Sequence, residues 1–176
     1  MLMNFAEIKY NDIANGEGVR TSLFVSGCRH RCKNCFNQIT WDFNYGKPFD
    51  EKTKEEIINS AEPYWINGLS LLGGEPFEPE NQTELLELLR EFHARFPKKD
   101  VWCYSGFTFE EITGKKESRA FTETSKELLE NIDILVDGRY EEELHSITLK
   151  FRGSSNQRVI DVKKTLETGE IILYLE

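Results

Sequence analysis

Four short, largely apolar runs, each closed by a glycine-bearing turn and parted from the next by a helical segment, restrict the fold of this chain most. They are Thr21 to Ser26 before Gly27, Leu69 to Leu72 before Gly73-Gly74-Glu75-Pro76, Val101 to Ser105 before Gly106, and Ile132 to Val136 before Asp137-Gly138. Runs of this length between turn signals read as buried strands, and the last shows the weak polar alternation of a strand covered on both faces. Between them, Asp50 can cap a helix through about Ala61, with Glu51, Glu55 and Glu56 in its early turns, Ile57 and Ile58 as its apolar stripe, and Pro63 as its stop. Asn81 opens a longer amphipathic helix whose apolar positions are Leu85, Leu86, Leu88, Leu89, Phe92 and Phe96. A short helix fits Phe109 to Thr113, another fits Thr124 to Asn131, and Ile171 to Leu175 reads as a terminal strand. The stretch from Glu141 to Arg158 is polar and carries no regular period.

Strands that alternate with helices need crossover connections, so the expected fold class is α/β with a mainly parallel sheet, in one domain over residues 1–176. Ligands of such sheets bind beyond the carboxyl ends of the strands. The four glycine-bearing loops are therefore expected to meet at one end.

A length of 176 residues with 39% apolar and 30% charged side chains suits a packed globular chain without covalent staples. The net charge of −9, from 31 acidic and 22 basic residues with no basic run, argues against binding to a phosphate backbone, so no nucleic-acid partner is expected. Asn4, Glu7 and Lys9 interrupt the first ten residues, and no apolar stretch is long enough for a bilayer. The expectation is a cytoplasmic protein with no membrane association. Of the four cysteines, three fall within eight residues, a crowding that suits metal in a reducing compartment better than disulfides.

Those three are Cys28, Cys32 and Cys35, in Cys28-Arg29-His30-Arg31-Cys32-Lys33-Asn34-Cys35 immediately after the first strand. Thiolates select zinc, copper(I) or iron–sulfur centres. A structural zinc ion would want a fourth ligand, for which His30, His93 and Cys103 are candidates, and zinc modules usually present two separated ligand pairs. A cubane cluster with only three cysteines would keep one iron without a protein ligand. Spacing alone leaves both open. Arg29, Arg31 and Lys33 suit an anionic cluster or an acidic partner as well as ordinary solvation. Cys103, between Trp102 and Tyr104 in a strand, reads as a packed thiol. His93 and His145 read as surface residues.

The ordered set of motifs resembles the radical S-adenosylmethionine superfamily, whose hallmark is C-x3-C-x2-C after the first strand of a full or partial (β/α) barrel. Asn15-Gly16-Glu17-Gly18-Val19-Arg20 before the strand, and Cys35-Phe36-Asn37-Gln38-Ile39-Thr40-Trp41 after it, resemble activating enzymes of glycyl-radical enzymes. Arg152-Gly153-Ser154-Ser155-Asn156-Gln157-Arg158 and the short chain are most similar to those acting on the anaerobic ribonucleotide reductase. The resemblance runs from about Tyr10 to Arg158. It implies a partial barrel, one 4Fe-4S cluster on Cys28, Cys32 and Cys35, and S-adenosylmethionine chelated at the remaining iron. It places the Gly73-Gly74-Glu75-Pro76 segment against the methionine amino group, and Asn34, Cys35 and Phe36 beside the cofactor.

By the same resemblance, reductive cleavage of the cofactor gives methionine and a 5′-deoxyadenosyl radical that takes hydrogen from a glycine of the reductase. Electrons come from a flavodoxin-like or other low-potential donor. Glycines allow close main-chain approach, and carbonyls or Glu75 can accept from an ammonium. Ser105-Gly106 and Asp137-Gly138 are further candidates for the ribose or adenine, and the stretch from Arg139 to Arg158 for the lip of the site. An activator of another glycyl-radical enzyme, such as pyruvate formate-lyase, is the alternative within the family. A zinc-binding interaction module is the alternative outside it.

Overall fold

A computed structural model of the chain describes residues 3–176. Eight strands form one sheet: β1 (Asn4–Asp12), β2 (Val19–Val25), β3 (Lys47–Pro48), β4 (Ile66–Gly73), β5 (Asp100–Ser105), β6 (Ile134–Asp137), β7 (Arg158–Asp161) and β8 (Leu173–Leu175). Their spatial order is β3-β1-β2-β4-β5-β6-β7-β8. The four strands expected from apolar runs, β2, β4, β5 and β6, sit adjacent and parallel at the centre. The outer strands pair antiparallel on both sides.

The sheet is therefore mixed and is not a closed barrel: the α/β class and the parallel centre are as expected, and it differs from a mainly parallel sheet in its antiparallel flanks. The difference comes from strands the sequence patterns did not reveal. β1 carries Glu7, Lys9 and Asp12 and is mostly exposed or half-buried, and β7 spans only four residues beside a polar stretch.

The links between parallel strands hold α1 (Glu51–Ser60), α2 (Pro79–Arg95), and the pair α3 (Phe109–Ile112) and α4 (Ser125–Glu130); α5 (Val162–Thr168) follows β7. Asp50 caps α1 as expected, its side chain accepting from Thr53 N at 2.8 Å. The α2 helix starts two residues earlier than Asn81, at Pro79, whose fixed φ and missing N–H suit a first helical position. Its buried row of Leu85, Leu86, Leu88, Leu89 and Phe92 meets Leu69, Leu71, Val101, Cys103 and Leu135 in the main core, on one sheet face. The other face carries a smaller cluster of Trp102, Ile134, Val136 and Val159.

That second face also buries Arg20. Its Nε donates to Ser70 Oγ (2.8 Å), Nη1 to Glu17 O (2.9 Å), and Nη2 to Leu69 O (2.8 Å) and Asp100 Oδ1 (2.5 Å). A Cβ on Gly16, whose φ is +121°, would stand 2.9 Å from Arg20 Cδ. The Asn15–Arg20 motif thus seats a guanidinium across β2, β4 and β5.

Candidate metal and cofactor site

The loops after β2, β4, β5 and β6 converge on one cavity at the carboxyl ends of the parallel strands. Cys28, Cys32, Cys35, Gly73, Gly74, Glu75, Ser105, Gly106 and Gly138 all line it. The cysteine loop leaves β2 at Gly27, whose N–H donates to Thr40 O at 2.7 Å, while Cys28 N donates to Trp41 O at 3.2 Å, so the loop's ends are tied together. Arg31 (φ +53°) and Asn34 (φ +60°), each directly before a cysteine, take left-handed backbone that turns the next residue inward. Asparagine adopts this region readily; arginine does so at a cost that functional loops often carry. The Arg31 guanidinium lies 5.1 Å from the Trp41 ring centroid.

Cys35 Sγ accepts from Asn37 N at 3.4 Å, and the backbone at His30 and, from beyond β6, at Tyr140 favours the thiolates of Cys28 and Cys32. Burial, aided by the Glu75 charge, pushes the Cys28 thiol up to about 12, and burial pushes the Cys32 thiol up as well. Metal binding to such thiols displaces their protons.

Among the described residues no set of three or more Cys, His, Asp or Glu side chains converges on a point where a single ion would sit. One zinc ion needs its sulfurs all about 2.3 Å from the same centre. The terminal thiolates of a cubane each bind a different iron, and the three cysteines here line one shared cavity. Neither His93 nor Cys103 lines that cavity. His93 Nε2 lies 2.8 Å from Asn131 O, and Cys103 is wholly buried in the main core.

Gly73 and Gly74 leave β4 where no side chain fits. A Cβ on Gly73 would stand 2.7 Å from Phe24 Cα, and one on Gly74 2.7 Å from Gly27 O. Phe36 is 86% exposed at the cavity mouth, its ring 6.3 Å from that of Tyr140. Asn34 stands outside the lining, exposed, with its amide beside the Glu142 carboxylate. Asp137 is buried under the floor: it accepts from Arg158 Nη2 at 2.6 Å and Phe109 N at 2.7 Å, a structural use that differs from the ribose or adenine contact considered for it. The stretch after β6 does contribute, through Tyr140, Gly153 and Gln157. Gln157 holds that loop shut, accepting from Gly153 N at 2.9 Å and donating to Gly138 O at 3.0 Å.

Tyr104 and His30 are among the lining side chains that the sequence does not assign to a cofactor site. Tyr104 sits on the strand face opposite Cys103, which the period-two alternation of β5 could have indicated. His30 was weighed only as a zinc ligand, because its partner, Glu75, is remote in sequence.

Comparison with known proteins agrees with this chemistry. Residues 14–160 match the model of a family described as a 4Fe-4S single cluster domain. An enterobacteria phage T4 protein named anaerobic ribonucleoside-triphosphate reductase-activating protein is 38% identical over 157 residues, covering 89% of this chain and 93% of its own. Proteins of the same name from Escherichia coli K12 (37% over 159 residues, 89% of this chain and 97% of its own) and Haemophilus influenzae (39% over 157 residues, 88% and 96%) are similarly close. The chain belongs to the family of anaerobic ribonucleoside-triphosphate reductase-activating proteins and is built around a 4Fe-4S single-cluster domain.

Proposed function

We propose that this chain activates the anaerobic ribonucleotide reductase by generating a glycyl radical on it, with a 4Fe-4S cluster on Cys28, Cys32 and Cys35 and S-adenosylmethionine beside it. The observation that carries this reading is that all three cysteines line the same cavity as Gly73-Gly74. Held there, such a cluster and S-adenosylmethionine would supply one-electron reductive cleavage of the sulfonium to methionine and a 5′-deoxyadenosyl radical able to take hydrogen from a glycine α-carbon.

The chain's own residues bind, orient and shield. Three cysteines are one fewer than a cubane's irons, so the loop keeps a position open for the amino and carboxylate groups of the cofactor. The bare main chain at Gly73 and Gly74 lets carbonyls approach an ammonium, and Cys35 and Phe36 flank the same space. Leu72, Tyr104 and Val136 give the cavity an apolar wall that excludes water. The exposed ring of Phe36 leaves the mouth accessible to a polypeptide substrate, in keeping with a reductase partner. A flavodoxin-like or other low-potential protein is the proposed electron source. No helix of the described residues is long and apolar enough to cross a membrane.

Anaerobic reconstitution with iron and sulfide, followed by dithionite and S-adenosylmethionine, is expected to release 5′-deoxyadenosine. Addition of the reductase is expected to give a glycyl doublet in electron paramagnetic resonance. A doublet obtained only with pyruvate formate-lyase would move the substrate to that enzyme, and bound metal without a reducible cluster would make the chain a zinc module.

A further inference from the structure

Glu75 is 1% exposed, and both of its carboxylate oxygens are fully engaged. Oε1 accepts from Ser105 Oγ at 2.7 Å and from Phe77 N at 2.8 Å. Oε2 accepts from Gly106 N at 2.7 Å and lies 2.8 Å from His30 Nε2. A carboxylate offers about four acceptor positions, so little is left here for a cofactor ammonium. The partners come from three loops, after β2, β4 and β5, and Glu75 is where those loops are joined.

His30 supplies the cysteine-loop side of that junction. It stands between Cys28 and Cys32, its side chain is 3% exposed, and its ring meets Phe107 edge-on at 4.4 Å. A Cβ on Gly106 would come within 2.5 Å of His30 Cδ2, so the imidazole lies directly on the backbone of the third loop. Its other nitrogen, Nδ1, is buried without a partner among the described residues. Packing alone would favour an apolar ring at such a place, because an unpaired buried polar atom is unfavourable. The bond to Glu75 is what the imidazole adds.

We infer that His30 is a positioning residue: by holding Glu75 it sets the Gly73-Gly74 main chain and the Ser105-Gly106 loop against the cysteine loop, so that cofactor affinity depends on it while cluster ligation does not. This rests on the proposed cluster and S-adenosylmethionine site, and it moves the role of the Glu75 carboxylate from direct contact to support.

The test compares His30→Gln, whose amide nitrogen can reach the position of Nε2, with His30→Leu, which fills space without donating. Each is reconstituted anaerobically and measured for iron content, for S-adenosylmethionine binding by equilibrium dialysis, and for the cofactor-induced change in the spectrum of the reduced cluster. H30L is expected to retain wild-type iron but to bind the cofactor about tenfold or more weakly, the loss of one charge-assisted hydrogen bond. H30Q is expected to recover most of the affinity and the spectral change.

Wild-type affinity in H30L, or an H30Q as weak as H30L, overturns the inference. Loss of the cluster in H30L likewise overturns the inference, which separates cofactor affinity from ligation; Ser105→Ala then tests the junction by itself, since it removes a donor from the same carboxylate without touching the cysteine loop. Weaker cofactor binding at full iron content in S105A upholds the junction at Glu75, and unchanged binding refutes it. Failure of the wild-type chain to form a cluster or bind the cofactor would instead refute the proposed function.

Discussion

Thiolates resist burial and repel one another, so the groups that steady Cys28, Cys32 and Cys35 matter as much as the sulfurs. Asn37 N donates to Cys35 Sγ, the backbone at His30 and Tyr140 favours the other two thiolates, and hydrogen bonds to sulfur are one means by which a protein sets a cluster's potential. Replacing any one of the three by Ala is expected to reduce bound iron after reconstitution and to abolish release of 5′-deoxyadenosine. Cys103→Ala should keep both and cost about 1 kcal/mol in a denaturant titration. Iron loss in that variant would mean that a fourth thiol takes part. The three cysteines were legible because they are crowded in sequence, whereas His30 and Tyr140 act across gaps of 45 and 108 residues that no local pattern records.

At the scale of elements, the loops around the cavity are fastened from behind. Asn81, expected to cap α2, lies inside the helix and reaches out of it, donating to Ser26 O at 3.1 Å and Glu75 O at 3.0 Å. Capping residues and tying residues share the same chemistry, and only the position of Pro79 tells them apart here. Glu78, with a wholly buried side chain, bonds Arg29 of the cysteine loop at 2.6 Å and Arg119 of the link between α3 and α4 at 2.8 Å. Burial alone would raise its carboxyl, but the bonds from Arg119 and Arg29 prevail and hold it below the usual carboxylate range.

A carboxyl lowered in this way stabilises the fold above its unfolded value, near ~4.3, and the contribution disappears as the pH falls through the lower folded value. Glu78→Gln is therefore expected to cost about 2 kcal/mol at neutral pH. Thermal melts should show its deficit narrowing below about pH 4. A deficit independent of pH would place the effect in packing.

Across the whole molecule, the central parallel strands were legible from their continuous apolar runs, since a strand covered on both faces has little room for polar residues. The flanking strands were not. β1 carries charges along a mostly exposed or half-buried strand, and β7 and α5 follow a polar stretch tied by hydrogen bonds from Gln157 and Arg158 rather than marked by periodicity. Arg20 shows how a motif noticed for its family resemblance serves the scaffold, joining three strands on the face opposite the helices. Arg20→Met keeps the length but leaves those acceptors unpaired, and is expected to lower stability by about 3 kcal/mol, read as a shift in the urea midpoint.

The cavity is walled by residues far along the chain from the cysteine loop, and that sets an order of events in folding. A nascent chain that has emerged only as far as α4 already holds every cysteine of the loop, yet the wall at Tyr140, Gly153 and Gln157 is still unmade. A cluster assembled before those residues fold would lack part of its enclosure.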